Sequence, residues 1–347
     1  MINLFNHYLG LLKIKLSRSY LESKKKLNHF AFFRLILIFF RKVSDFLNTT
    51  HHYSSLTQHR IILGDNIRTK AFYKAISRIN LKDKVVLDAG CGTGIFGFFA
   101  SQRGAKKIIA VDRSNFIDKA MMLAKKNKIE NIDFIQQDLT KLYFPQKIDV
   151  LIHENIGNFI FDENTINVVT HLKEKLLKRN AKIIPYQIDW SIVPVMLKKI
   201  AIYPPQAFWS TNPYNLDFSN LLNYELDKPI SILLKTKDVY LSKPAVIYNL
   251  NYNKRIIPPK KINHSFLINK DGSINGALGF FKVKLDEKNF ISTEPSLKLT
   301  HWGQMLFPNI FPLVVKKNDI VNFSILLNNY LDPASWQHQF KLIKIDP

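Results

Sequence analysis

Lys84-Val-Val-Leu-Asp-Ala-Gly-Cys-Gly-Thr-Gly-Ile95, continued by Phe-Gly-Phe-Phe-Ala-Ser101 and then Ile108-Ile-Ala-Val-Asp-Arg-Ser114, reads as one β-turn-α-β unit. An apolar, β-branched run ends at Asp88, and Gly90, Gly92 and Gly94 follow at alternate positions. A helical pattern begins there, and a second apolar run ends at Asp112. The glycines let the backbone turn sharply and approach a ligand with no Cβ in the way. Asp112, at the tip of the second strand, suits the two hydroxyls of a ribose. The spacing is Gly-x-Gly-x-Gly, not the Gly-x-Gly-x-x-Gly of dinucleotide enzymes. Asp88 would repel a pyrophosphate but suits a cationic amino-acid end. The ligand is therefore read as S-adenosyl-L-methionine.

Downstream, strand and helix patterns alternate: a helix near Ile95 to Arg103, a strand at Ile108 to Val111, a helix near Phe116 to Asn127 and a strand at Ile132 to Ile135. This alternation predicts a parallel sheet with right-handed crossovers. Ligands in such sheets bind at the carboxyl ends of the strands, where the glycine turn, Asp112 and Asp138 fall. Asp138 can accept from an adenine amino group or cap a turn. Ile148-Asp-Val-Leu-Ile-His-Glu154 is a buried strand that delivers a carboxylate to the same edge. Asn-Ile-Gly-Asn-Phe-Ile-Phe-Asp-Glu163 returns a second acid nine residues later. Two such acids form a negative clamp, best matched by the planar fork of a guanidinium.

Ahead of the sheet, Asp65 and Arg68 stand three apart in a helical stretch and share one face. After about Pro185 helical periodicity fades, prolines cluster, and short alternating runs at Val246 to Tyr252, Leu278 to Leu285, Phe311 to Val315 and Ile320 to Leu327 predict antiparallel strands.

The 347 residues suffice for two domains, and a hydrophobic fraction of 46% excludes a disordered chain. Fifty Lys and Arg against 27 acids give +23, but Lys, Ile and Asn recur along the whole chain, and no basic tract of six or more stands out. Specific nucleic-acid binding is therefore not expected. Cys91 excludes an internal disulfide and, between two glycines, reads as a packing residue. Residues 1–50 are basic and amphipathic around Phe30-Ala-Phe-Phe-Arg-Leu-Ile-Leu-Ile-Phe-Phe40, too short to span a bilayer and interrupted by Arg34. Three readings stay open for them: a helix docked on the catalytic domain, an interfacial helix in peripheral membrane contact, or a targeting segment. A cytoplasmic location is expected.

From about residue 51 onward the chain resembles the protein arginine methyltransferase family. Arg68 ahead of the first strand, Glu154 and Glu163 at the family's double-glutamate spacing, and Thr300-His-Trp302 in the later β region carry the resemblance. It implies a Rossmann-like methyltransferase domain over 51–185 and a β-barrel substrate and dimerisation domain over 186–347, with an arm near 205–225 and a homodimer. It further implies that Arg68 binds the methionine carboxylate, that Gly90, Gly92 and Gly94 hold the methionine moiety, and that Asp112 holds the ribose. Glu154 and Glu163 would grip the guanidinium of an arginine in a protein substrate, and His301 would pair with Asp65. No metal is implied. Asn155 and Ile156 stand where the family has tryptophan and methionine, Asn158 where it has an aromatic, and Ile62 where it has methionine. Three functions remain open: arginine methylation of proteins, methylation of a small-molecule, lipid-associated or ribosomal acceptor on the same fold, and a scaffold that has lost catalysis.

Overall fold

In the computed structural model, residues 55–158, 160–197, 213–221, 228–295, 297–298 and 300–343 are described. Residues 1–50 and most of the expected arm lie outside them. Residues Ser54–Pro347 form one compact unit, so contacts between its two halves can be read directly.

Five parallel strands build the first half: β1 (Val85–Ala89), β2 (Lys107–Asp112), β3 (Ile132–Gln136), β4 (Ile148–His153) and β5 (Leu177–Ile184), in the order β3-β2-β1-β4-β5. Every residue of β1 is buried, as a central strand covered on both faces requires. The order reverses between β1 and β4, the position in open α/β sheets at whose carboxyl edge ligands bind. Five helices accompany the sheet: α1 (Leu56–Gly64), α2 (Asn66–Ser77), α3 (Ile95–Gln102), α4 (Ile117–Lys126) and α5 (Thr165–Lys175). Asp118 in the first turn of α4 and Lys125 and Lys126 in its last turn complement the helix dipole.

The chain then enters antiparallel structure at β6 (Gln187–Val195). The remaining strands are β7 (Ile230–Ile232), β8 (Ala245–Asn251), β9 (Lys261–Leu267), β10 (Gly272–Asp286), β11 (Asn289–Ser292), β12 (Gln304–Val315), β13 (Ile320–Leu326) and β14 (Gln337–Ile343). They pair as two sheets, β7-β12-β10-β6-β8 with β11 on β10, and β14-β13-β9. The four strand runs read from the sequence lie within β8, β10, β12 and β13 or overhang them by one residue. An aromatic cluster centred on the fully buried Trp190, Phe307, Phe323 and Trp336 fills the β half. One hydrophobic core runs from this cluster into the parallel sheet, so the two halves bury apolar surface against each other.

One local expectation is corrected. The stretch Ile61 to Ile76, read as one helix, is two helices separated at Asp65. Asp65 does not share a helical face with Arg68. It is the N-cap of α2, and its Oδ1 accepts from the backbone N–H groups of Ile67 and Arg68 at 3.1 and 3.0 Å. An aspartate that satisfies two orphan donors starts a helix more favourably than it continues one.

Candidate active site

The glycine turn joins β1 to α3. Gly90, Gly92 and Gly94 have φ of +76°, +50° and +80°, where a Cβ would be strained, and Gly94 starts α3. Two carboxylates brace the turn from either side. Asp112, at the end of β2, accepts from Gly92 N–H at 2.9 Å with Oδ2 and from the Ser114 N–H and hydroxyl with Oδ1. Asp88 accepts from Gly97 N–H at 2.8 Å, an approach possible because a Cβ on Gly97 would lie only 3.2 Å from that carboxylate. Burial pushes the Asp88 carboxyl up to about 7, and its Oδ1 is buried without a partner. Cys91 is buried between the glycines, and burial raises its thiol well above the ordinary value. It stays protonated and packs.

Arg68, in the first turn of α2, is 4% exposed, with its guanidinium 4.8 Å from the Phe96 ring centroid. Its Nε donates to Glu154 Oε2 at 2.9 Å, and its Nη2 donates to the same oxygen. Asp65 joins this pair to the β half: its Oδ2 accepts from His301 N–H at 2.8 Å and lies 2.9 Å from His301 Nδ1. Burial pushes the Asp65 carboxyl up, but hydrogen bonds from His301 and the Arg68 N–H outweigh it and hold the group below the usual carboxylate range. An ionised Asp65 only accepts, so Nδ1 of His301 carries the proton that lies between them. One chain of contacts thus runs His301, Asp65, Arg68, Glu154.

The acidic loop is held from the β half. Trp302 Nε1 donates to Ile156 O at 2.7 Å, and Gly303 N–H donates to Asn158 Oδ1 at 3.2 Å. Phe161 is fully buried among Trp190, Tyr248, Tyr330 and Trp336. Within the loop, the Asp162 carboxylate lies over Gly157, where a Cβ would come 2.0 Å from its Oδ1 and displace it. Glu163 is partly buried two residues after Phe161, immediately ahead of Asn164 at the start of α5. Asp138 caps the single 3-10 turn Leu139–Lys141, accepting from the Thr140 N–H and hydroxyl at 2.9 and 2.7 Å.

Three residues here were given no site role from the sequence. His59 of α1 lies over the glycine turn, 2.9 Å from where a Cβ on Gly92 would sit, and its ring packs on Phe116 at 3.6 Å between centroids. Asn155 faces Gly90. His153, at the end of β4, is fully buried with its ring edge-on to Tyr252, and burial pushes its imidazole down to about 3. The neighbouring motif residues Gly92 and Glu154 were the available signal for the first two.

A parallel sheet with a glycine turn at its switch point and an acid at the end of the neighbouring strand is the architecture of the nucleoside-dependent methyltransferase class. Residues 80–189 match the methyltransferase domain, and residues 199–339 match the arginine methyltransferase oligomerization subdomain. Protein arginine N-methyltransferase 6 of Danio rerio is 30% identical over 267 residues, covering 73% of this chain and 76% of that protein. Protein arginine N-methyltransferase 2 of Xenopus tropicalis is 30% identical over 292 residues, covering 79% of this chain and 66% of that protein. Among solved structures, the Trypanosoma brucei PRMT1 enzyme-prozyme heterotetrameric complex with AdoHcy aligns with a TM-score of 0.74 at 23% identity, over 84% of this chain and 99% of that one. Arabidopsis thaliana protein arginine methyltransferase 10 aligns at 0.71 and 21%, over 83% and 98%. The chain belongs to the protein arginine methyltransferase family, whose members transfer methyl from S-adenosylmethionine to arginine in proteins.

Proposed function

We propose that this chain is a catalytically competent protein arginine N-methyltransferase in which Glu154 and Glu163 grip the substrate guanidinium and Arg68 holds the carboxylate of the methyl donor. The observation that carries this reading is the convergence of Arg68, Glu154, Asp65 and His301 in one bonded chain beside the glycine turn. The residues fit S-adenosylmethionine: Asp88 Oδ1, just ahead of the glycine turn, and Asn155 Oδ1, against it, are buried acceptors without a partner among the described residues, which suits a cationic amino-acid end. That group supplies an electrophilic methyl on a sulfonium, already a good leaving group.

The chain's own task is alignment and exclusion of water. In this reading Asp112 takes the ribose and Asp138 the adenine. Glu154 attracts and polarises the guanidinium, localising its charge so that one nitrogen keeps a lone pair for attack. Arginine's high pKa means that its proton leaves during or after transfer, and in this reading His301, held by Asp65, receives it.

The active form in this reading is a homodimer. The exposed Met121, Met122 and Leu123 of α4 offer an apolar surface, and residues 205–225 of a second copy would cover it, as the match to an oligomerization subdomain supports. Among the described residues no helix is long and apolar enough to cross a membrane. A cytoplasmic location goes with this reading, because a lone buried thiol asks for no oxidising compartment.

Incubation with labelled S-adenosylmethionine and glycine-arginine-rich peptides tests the proposal. Methylarginine in the acid hydrolysate is the expected result. Label confined to a small molecule would overturn the choice of acceptor, and donor binding without any transfer would overturn catalysis.

A further inference from the structure

We infer that Asn155 recognises the amino-acid end of the methyl donor, its Oδ1 accepting a hydrogen bond from the donor's α-ammonium. The inference rests on the proposed function, since it requires a donor that carries such an end. β1 and β4 pair in parallel with Ala89 beside His153, so the turn beginning at Gly90 and the loop beginning at Glu154 leave adjacent strands side by side. Asn155 lies against that turn: a Cβ on Gly90 would sit 3.0 Å from its Nδ2 and 3.3 Å from its Oδ1. The side-chain amide therefore occupies the space that the first glycine leaves open.

Oδ1 of Asn155 is buried and bonded to nothing among the described residues. Buried amide oxygens almost always have a donor, so one without a partner marks a place where a donor arrives. Asp88 Oδ1 shares this condition, and Asp88 precedes Gly90 by two residues. An open acceptor against the glycine turn matches a cation with several N–H groups, and an ammonium offers three. The acceptor guanidinium is the weaker match. Its charge is met by Glu154, whereas Asn155 packs on the glycine turn. This position carries tryptophan in the family pattern, so a side-chain acceptor here is a feature of this chain's own sequence.

The test is calorimetric titration of the full chain with two probes. S-adenosylhomocysteine has the amino-acid end, and 5′-methylthioadenosine keeps the adenosine and thioether but lacks it. Asn155→Leu, close in size, is expected to weaken S-adenosylhomocysteine by about ten- to a hundredfold while leaving methylthioadenosine affinity and melting temperature unchanged. Asn155→Ser, a smaller change kept in case the leucine variant does not fold, is expected to show the same selective loss. Unchanged S-adenosylhomocysteine binding, or an equal loss for both probes, would overturn the assignment. Failure of the unsubstituted chain to bind either probe would instead overturn the donor reading on which it rests.

Discussion

Arg68 and Glu154, 86 residues apart in the chain, are bonded to each other just beyond the carboxyl end of β4, with both Nε and Nη2 of the guanidinium on one carboxylate oxygen. Their side chains are 5% and 11% exposed, so neither charge is shared extensively with water. In the proposed function Arg68 serves the donor and Glu154 the acceptor, so the ion pair would couple the two roles.

That coupling gives opposite signatures for the two partners. Glu154→Gln keeps the shape but removes the charge that polarises the guanidinium, and kcat should fall about a hundred- to a thousandfold. Donor affinity should be unchanged or tighter, because Arg68 loses a competing carboxylate. Arg68→Ala should instead weaken S-adenosylhomocysteine binding. Equal loss of donor affinity in both variants would place Glu154 in the donor site.

Trp302 holds the acidic loop through a single indole N–H. Trp302→Phe retains most of the ring but leaves Ile156 O without its donor, at a cost of about 1–3 kcal/mol if the carbonyl stays buried. The loop should loosen, raising KM for an arginine peptide while donor affinity stays constant. Steady-state kinetics beside a binding isotherm would show the split, and a parallel rise in donor Kd would contradict it.

Asp88 and His153 impose opposite pH dependences on stability. Asp88, with its carboxyl at about 7 when folded and 3.8 as the ordinary value, contributes stability that is fully present below 3.8 and lost as pH rises through 7. His153, at about 3 when folded and 6.5 ordinarily, contributes stability present above 6.5 and lost as pH falls toward 3. Between about pH 4.5 and 6.5 the two slopes, each at most about 1.4 kcal/mol per pH unit, oppose and largely cancel. Asp88→Asn should therefore make stability rise with pH across this window, and His153→Gln should make it fall. Urea unfolding midpoints measured across the window check both signs, and identical profiles for the two variants would refute them.

The alternation from Val85 to Ile135 was legible because β1 and most of β2 are buried on both faces, and the edge strand β3 still carries Ile132, Phe134 and Ile135 as an apolar run. β6, β9 and β14 were less legible. β6 contains Pro194, and the exposed faces of β9 and β14 are largely polar, so their strand character comes from register with neighbours rather than from hydrophobic run length. The break at Asp65 had a local signal in Gly64-Asp65-Asn66, a helix-ending glycine ahead of an N-cap aspartate, which the apolar periodicity on either side masked.

The sequence by itself determined the parallel sheet, the glycine turn and the inventory of acids around it, since these follow from local periodicity and from residues whose backbone freedom is peculiar to them. Tertiary structure alone decided which of those residues meet. The bonding of Arg68 to Glu154, of Asp65 to His301 and of Ile156 to Trp302 joins segments tens to hundreds of residues apart. Such contacts depend on how the two halves bury their shared core, and no local pattern encodes that.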